Sequence, residues 1–147
     1  NIFRELGGFN KNISSGQDIE MWMRILKNYF IVINNKATSI YNHYVEDSLS
    51  KTAILQKQLM DLSVWKEDEK NNPYLKKFLD RYRMEYALHF KMAGAQDKAE
   101  EWFRDIDPAN TSFTSKLLYR LPTRMLRTLL SLKRKLRDRG LDLSIYK

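Results

Sequence analysis

The sequence feature that most constrains the fold is an amphipathic segment that follows a glycine turn and a polar loop. Apolar side chains recur at helical spacing over 17–28, which predicts one helix there. Gly7 and Gly8 permit a backbone turn that a side chain would hinder. The stretch 10–16, rich in Asn, Ser and Gly, has the composition of a loop. The helix is expected to pack against a core through one apolar stripe: Ile19, Trp22, Met23 and Leu26.

The loop delivers a carboxylate, Asp18, to the first turn of this helix. Ser15 precedes it with the Ser-x-x-Asp spacing of a capping box, in which each side chain bonds the amide of the other residue. The alternative is functional: Asp18 faces whatever the loop encloses and works as an acid or a base. Spacing alone favours the cap, because the helix dipole stabilises acidic residues in first turns.

The letters around these positions resemble a known enzyme family. The string Phe-Arg-Glu-Leu-Gly-Gly-Phe-Asn and then Gly-Gln-Asp-Ile-Glu-Met-Trp-Met-Arg is similar to the distal part of the catalytic domain of family 2 glycosyltransferases. These are inverting enzymes of the GT-A fold that use nucleotide sugars. The resemblance consists of a Gly-Gly-Phe turn and an Asp that opens a helix bearing Trp and Arg. It falls on Gly7, Gly8, Phe9, Asp18, Trp22 and Arg24.

The resemblance implies that Asp18 is the catalytic base that deprotonates the acceptor hydroxyl. Gln17 stands where the family more often has Glu, so the hydrogen bonding of that position is kept and its charge is lost. The donor is then a nucleotide sugar, and the acceptor is a saccharide or a lipid-linked molecule, as in the synthesis of cell-surface polysaccharides. The implied substrate-binding residues are Gly7, Gly8, Phe9, Gln17 and Arg24.

The resemblance also implies a divalent metal, Mg or Mn, held mainly by residues absent from this sequence. The family's Asp-x-Asp metal motif does not occur before Asp18, and the one such spacing, at 105–107, is interpreted as a helix end or loop element beside a proline. His43 is the implied contact for the metal or the donor's diphosphate. It lies in Tyr41-x-His43, which is similar to the family's Tyr-x-x-His segment but more tightly spaced.

Because the motif stands at the start of the sequence, we interpret 1–50 as the end of a catalytic domain and 51–147 as a helical extension. The expected fold is mainly α with a small β-hairpin: the distal piece of a GT-A α/β domain, followed by an α-helical bundle or hairpin region. Two β-rich runs, 30–34 and 37–41, predict that hairpin. Without the donor-binding half, this piece alone is expected to be inactive.

From Ser50 onward the apolar spacing is helical. It predicts helices over 50–71, 74–93, 96–106, 115–121 and 122–139. The second of these carries an aromatic side chain at every fourth position, interpreted as core: Phe78, Tyr82, Tyr86 and Phe90. With the third helix it resembles one tetratricopeptide-type hairpin. The rival interpretation of 51–147 is therefore an interaction module without catalysis.

The net charge of +8 belongs to the last part of the chain. Ten of the 26 basic residues but two of the 18 acidic ones lie in 116–147, so the remainder is neutral. The predicted helix 122–139 combines these charges with leucines, and it either docks on the helical core or lies on an anionic membrane surface. Nucleic acid is not an expected partner, since no aromatic residues are interleaved with the charges.

Composition restricts the remaining classes. The sequence has no run of about 18 apolar residues and nothing resembling a signal peptide. It has no cysteine, which excludes disulfides and thiolate metal sites. The expected location is the cytoplasm, at the inner face of the membrane if the last helix binds lipid.

Overall fold

The computed structural model describes residues 1–40 and 52–138. The chain divides between Leu62 and Ser63 into two compact units. Over the described ranges the structure is mostly helical and contains no β-strand, which confirms the prediction of a mainly α fold. The division predicted after residue 50 rests on the extent of the family resemblance, and it stays a prediction.

Two helices frame the glycine turn in the first unit. Helix α1 spans Ile2–Glu5, and α2 spans Gln17–Asn28, where the sequence predicts it. Met21 and Met23 are the buried residues of α2. The predicted apolar stripe is wrong in part, because Trp22 and Leu26 are 52% and 57% exposed.

Residues 30–40 follow α2 without forming a strand, so the structure does not show the predicted hairpin there, and position 41 lies outside the described residues. The backbone amide of Lys36 donates to Asn34 Oδ1 (3.0 Å), which makes a local turn where the sequence predicts one. A two-stranded hairpin needs a third strand or a helix against it to be stable. The apolar side chains of this segment are instead almost fully exposed: Phe30, Val32, Ile33 and Ile40.

The predicted helix over 50–71 is wrong from 52 to 65. That stretch contains two 3₁₀ turns, Ile54–Gln56 and Leu62–Trp65, and the α-helix α3 spans only Lys66–Asn71. Between the two turns, Leu59 forms an isolated parallel bridge with Ser15. The backbone of this stretch thus pairs with a loop far away in sequence, and helical periodicity carries no information about such pairing.

The second unit is built around one long helix. Its elements after α3 are α4 (Pro73–Ala93), α5 (Gln96–Arg104), α6 (Phe113–Arg120) and α7 (Thr123–Asp138). Helices α3, α5, α6 and α7 all contact α4. The Asn72 side chain caps α4 by accepting the amides of Tyr74 and Leu75, and the helix ends at Gly94 as predicted. The predictions of these four helices are confirmed, with shifts at their ends.

The aromatic ladder of α4 is core only in its second half. Tyr86 and Phe90 are buried, whereas Tyr82 is half-buried and Phe78 is exposed. The Tyr86 ring meets the Trp102 ring of α5 edge to face, with centroids 4.9 Å apart. The part of the ladder that packs is therefore the part facing α5.

A buried carboxylate, Asp80, connects α4 to the chain that follows α5. Its Oδ1 accepts hydrogen bonds from Lys76 Nζ (2.6 Å) and Arg83 Nη1 (2.9 Å). Its Oδ2 accepts from the backbone amide of Asp107 (3.1 Å) and from Asn110 Nδ2 (2.7 Å). Burial raises the pKa of Asp80, but the bonds it accepts, led by that from Asn110, outweigh burial and hold the pKa below its ordinary value.

The Arg83 guanidinium extends this cluster to α3. It donates to both carboxylate oxygens of Glu69, at 2.8 and 2.9 Å, and both side chains are buried. Burial lowers the pKa of Arg83, but the bonds to Glu69 and then to Asp80 raise it above its ordinary value. The linked side chains of Glu69, Arg83 and Asp80 thus connect α3, α4 and the 107–110 turn.

The Asp-x-Asp spacing at 105–107 has the structural role that the sequence predicts. Asp105 is the C-cap residue of α5. Asp107 caps the 3₁₀ turn Pro108–Asn110, where its Oδ1 accepts the amide of Ala109 at 2.8 Å. Both carboxylates thus have a structural role in the second unit.

We expect Asp80→Asn to lower the free energy of unfolding by about 3–5 kcal/mol, because Glu69 alone then balances the two positive charges of Lys76 and Arg83. Urea denaturation at neutral pH measures this loss. The matched control is Asp105→Asn, whose exposed carboxylate lies 3.7 Å from Lys66 Nζ and should contribute less than about 1 kcal/mol. Equal losses in the two variants would contradict the central role of Asp80.

The dependence of stability on pH tests the role of the Asp80 carboxylate independently. Since the pKa of Asp80 is lower in the folded chain than in the unfolded one, its contribution is complete above the unfolded value and is lost as the pH falls through the folded value. The difference in stability between the wild type and Asp80→Asn should therefore shrink below about pH 4. A difference that stays constant down to about pH 2 would show that the charge of Asp80 is not the stabilising feature.

Candidate functional site

The glycine turn of the first unit is held against α2 by the Arg24 guanidinium. Arg24 donates through Nη1 to the Leu6 carbonyl and through Nη2 to the Gly8 carbonyl at 2.8 Å. The same group pairs with Glu20, with 2.9 Å from Nη2 to Oε2 and 2.6 Å from Nε to Oε1. Arg24 therefore positions the turn, and its implied contact with substrate stays a prediction.

The two glycines of the turn differ in backbone conformation. Gly7 has a φ of +77°, a left-handed conformation that side chains resist. Gly8 lies outside that region, and a Cβ added to it meets no atom of the described chain within 4 Å. Phe9 is exposed, and its ring centroid lies 6.2 Å from that of Phe3 in α1. The implied contacts in the turn thus lie at the surface on a backbone fixed by Arg24.

The polar loop is held at its far end by backbone pairing. The Ser14 amide donates to the Gln58 carbonyl (2.8 Å), and the Gln58 amide donates to Ser14 Oγ (2.9 Å). The Met60 amide donates to the Ser15 carbonyl at 3.3 Å. These bonds fix the loop directly before Gly16, the left-handed N-cap residue of α2. The loop before α2 is therefore held at one end by Arg24 and at the other by the bonds to Gln58 and Met60.

Asp18 lies in the first turn of α2 with its carboxylate exposed to solvent. Its Oδ1 accepts the backbone amide of Ile19 at 2.9 Å. The predicted capping box is wrong, because the N-cap residue is Gly16, which has no side chain, while Ser15 is drawn into the bridge with Leu59. The helix dipole stabilises a carboxylate at this position, and the exposed group remains accessible to a solute.

Trp22 lies one helical turn after Asp18 on the same face of α2, and it is the functional candidate that helical spacing hid. The spacing assigned it to the core, but Met21 faces inward together with Glu20 and Arg24, so the opposite face of the helix is exposed. An exposed indole offers a flat apolar surface with a polar N–H edge. The separation of Asp18 and Trp22 by one turn was the signal available in the sequence.

The structure says little about the two other residues that the resemblance implies, Gln17 and His43. Gln17 is the first residue of α2 and is half-buried. His43 lies outside the described residues. Nowhere in 1–40 or 52–138 do three or more His, Cys, Asp or Glu side chains cluster so as to hold a metal ion. The described residues thus do not supply a site for the implied divalent ion, which stays an expectation of the resemblance.

The second unit has a groove of about 730 Å³ between α4 and α6. The Phe78 and Tyr82 rings on its α4 side meet edge to face, with centroids 5.2 Å apart. Hydroxyl groups of Ser112 and Ser115 and the basic Arg81 also line it. The groove thus presents aromatic and polar groups side by side.

Comparisons of the chain with protein-family models, with curated proteins and with solved structures find no match. The motif resemblance and the geometry of the first unit are therefore the grounds for proposing a function.

We expect Gly7→Ala to lower the free energy of unfolding by about 1–2 kcal/mol, because the alanine Cβ opposes the left-handed backbone. Gly8→Ala is the matched control in the same turn. It should change stability by less than about 0.5 kcal/mol, since its Cβ enters open space. Urea denaturation followed by tryptophan fluorescence compares the two, and equal effects would contradict the assigned geometry of the turn.

Proposed function

We propose that this chain forms the acceptor side of an inverting family 2 glycosyltransferase, with Asp18 as the general base. The observation that carries the proposal is an exposed carboxylate and an exposed indole one turn apart on α2, at the end of a loop held at both ends. The motif resemblance supplies the reaction class. The geometry supports it by offering one group that can take a proton and one that can hold a sugar ring.

Positioning is what such a base requires. A general base acts when it lies within about 2.6–3.2 Å of the proton donor's oxygen, so small displacements of its backbone are costly. The Arg24 bonds to the Leu6 and Gly8 carbonyls and the pairing of Ser14 with Gln58 hold the backbone on the two sides of the loop. Asp18 is thereby carried on a helix end with little freedom to move.

The proposed reaction is one displacement at the anomeric carbon of the donor sugar. The acceptor hydroxyl oxygen forms the new glycosidic bond while its proton passes to an Asp18 carboxylate oxygen. The bond from the anomeric carbon to the nucleoside diphosphate breaks, and its electron pair leaves with the diphosphate, so the configuration is inverted. Trp22 holds the acceptor by stacking its indole on a sugar ring, and the indole N–H donates to a hydroxyl at the ring's edge.

The same proposal explains the exposed apolar segment after α2. In a GT-A domain, the runs 30–34 and 37–41 would form the edge hairpin of a sheet whose other strands come from the nucleotide-binding half. The nearly complete exposure of Phe30, Val32 and Ile33 fits a segment that pairs with such a sheet. On this proposal the divalent ion and the donor's diphosphate are bound by that half.

Replacing Asp18 by Asn in the full-length protein tests the base directly. We expect kcat for sugar transfer to fall by at least about 100-fold, because the amide cannot accept the acceptor's proton. Product formation is measured with a panel of nucleotide sugars and saccharide or lipid-linked acceptors.

Asp97→Asn is the matched control for this substitution. Asp97 follows Gln96 as the second residue of α5, just as Asp18 follows Gln17 in α2, and both are exposed. The two variants lose the same interaction with a helix dipole, so only a catalytic role separates them. Turnover that survives Asp18→Asn to the same extent as Asp97→Asn would refute the assignment.

The proposed role of Trp22 has its own test. We expect Trp22→Ala to raise KM for the acceptor by about tenfold with little change in kcat, as for a residue that binds ground state and transition state alike. Leu26→Ala, one turn further along the same exposed face, should leave KM unchanged. A fall in kcat without a change in KM would contradict the stacking role.

A second candidate function is an interaction module formed by the helices of the second unit. The specific observation in its favour is the groove between α4 and α6, next to an α4/α5 hairpin whose crossing buries Ala87 and Ala99 completely. If this unit alone carried the function, Asp18→Asn would be silent. Phe78→Ser, in the groove, would instead weaken the binding of the partner.

A further inference from the structure

Helix α7 has one face that packs on the second unit. Leu126 is 1% exposed, and α7 contacts α4. Arg127 Nε donates to the Met92 carbonyl near the end of α4 at 2.7 Å. Docking on the helical core, one of the two interpretations of this helix, thus holds for the face that carries Leu126.

A different face of α7 carries an apolar stripe that the protein leaves exposed. Met125, Leu129 and Leu132 recur at i, i+4 and i+7, which places them in one line along the helix. Their exposed fractions are 53%, 44% and 52%. The helix therefore has apolar surface beyond what docking on α4 uses.

The charge around the stripe has one sign. From position 108 to 137 the chain has eight basic residues and no acidic residue. Helical geometry puts Arg124 and Lys135 along one side of the stripe. Lys133 lies on the other side, where it is half-buried and lines the groove between α4 and α6. Arg124 and Lys135 are exposed, so their charged ends can extend to the level of the apolar side chains.

We infer that α7 lies on an anionic lipid surface, with Met125, Leu129 and Leu132 in the interfacial layer and the flanking basic residues at the lipid headgroups. A second copy of the chain would bring like charges together at the same stripe, and nucleic acid offers no apolar phase for leucines. An anionic bilayer supplies both the apolar layer and the opposite charge. The surface in a cell that fits is the cytoplasmic leaflet, which carries anionic lipids.

Membrane contact by one face does not require the helix to insert across the bilayer. Along the described part of the chain, no helix has the length and apolar composition needed to cross a membrane. The inference rests on α7 alone and is independent of the proposed glycosyl transfer.

Co-sedimentation of the full chain with lipid vesicles tests the inference. The vesicles are phosphatidylcholine with about one quarter phosphatidylglycerol, compared with pure phosphatidylcholine, at low salt and at about 0.5 M salt. We expect the partition coefficient to be at least about tenfold higher on the anionic vesicles, since each basic residue near the surface contributes about fivefold. High salt should remove most of this difference.

Two pairs of variants separate the stripe from charge in general. Leu129→Gln with Leu132→Gln should lower the partition coefficient at least about tenfold. Leu26→Gln with Leu55→Gln changes two equally exposed leucines of the first unit and should have less than about a twofold effect. Arg124→Glu with Lys135→Glu should abolish retention, whereas Lys77→Glu with Arg104→Glu makes the same charge change elsewhere and should largely preserve it.

Three results would overturn the inference. The first is a wild-type chain that stays in the supernatant with anionic vesicles at low salt. The second is equal retention of the wild type and the Leu129/Leu132 variant, which would show attraction by charge alone. The third is a dimer in solution that the Leu129/Leu132 variant converts to a monomer, because the stripe would then be covered by a second copy.

Discussion

The bonds of one guanidinium decide how the first unit presents its surface. Arg24 is held by Glu20 within α2 and reaches the carbonyls of Leu6 and Gly8 outside it, so charged residues occupy the inner side of the helix. An inward pair of this kind is tolerated because Nη1 and Nη2 of Arg24 donate to carboxylate and carbonyl oxygens. The consequence is that Asp18 and Trp22 share the outer side, where a solute can reach them.

The second unit is also held by hydrogen-bonded charged side chains, and these are more deeply buried. Asp80 is buried within α4 and accepts bonds from two side chains of its own helix and from the 107–110 turn. Arg83 carries the charge on to Glu69 in α3. Because a buried charge is costly unless its partners are in place, such a cluster specifies one arrangement of helices and turn. Apolar side chains such as Tyr86, Phe90 and Ala99 form part of the buried core of the same unit.

The periodic parts of the sequence predict the structure well, and the parts that depend on distant contacts do not. Helices α2, α4, α5, α6 and α7 lie where apolar spacing and helix-ending residues place them, because those signals are local. The stretch 52–65 fails since its backbone pairs with the loop at Ser14 and Ser15. The prediction for Trp22 fails for a related reason: the inward side of α2 carries the ion pair of Glu20 and Arg24, and hydrophobic spacing does not register ion pairs. The family motif identifies the candidate residues of the turn, whereas the bonds that hold the turn against α2 are visible only in the structure.

The central claim is that the carboxylate of Asp18 receives the proton of an acceptor hydroxyl. A crystal structure of the full-length protein with an unreactive donor analogue and an acceptor measures this most directly. The account predicts an acceptor hydroxyl oxygen within about 2.6–3.2 Å of an Asp18 carboxylate oxygen, with the sugar ring against Trp22. An acceptor bound more than about 6 Å from Asp18, with another group at its hydroxyl, would contradict it.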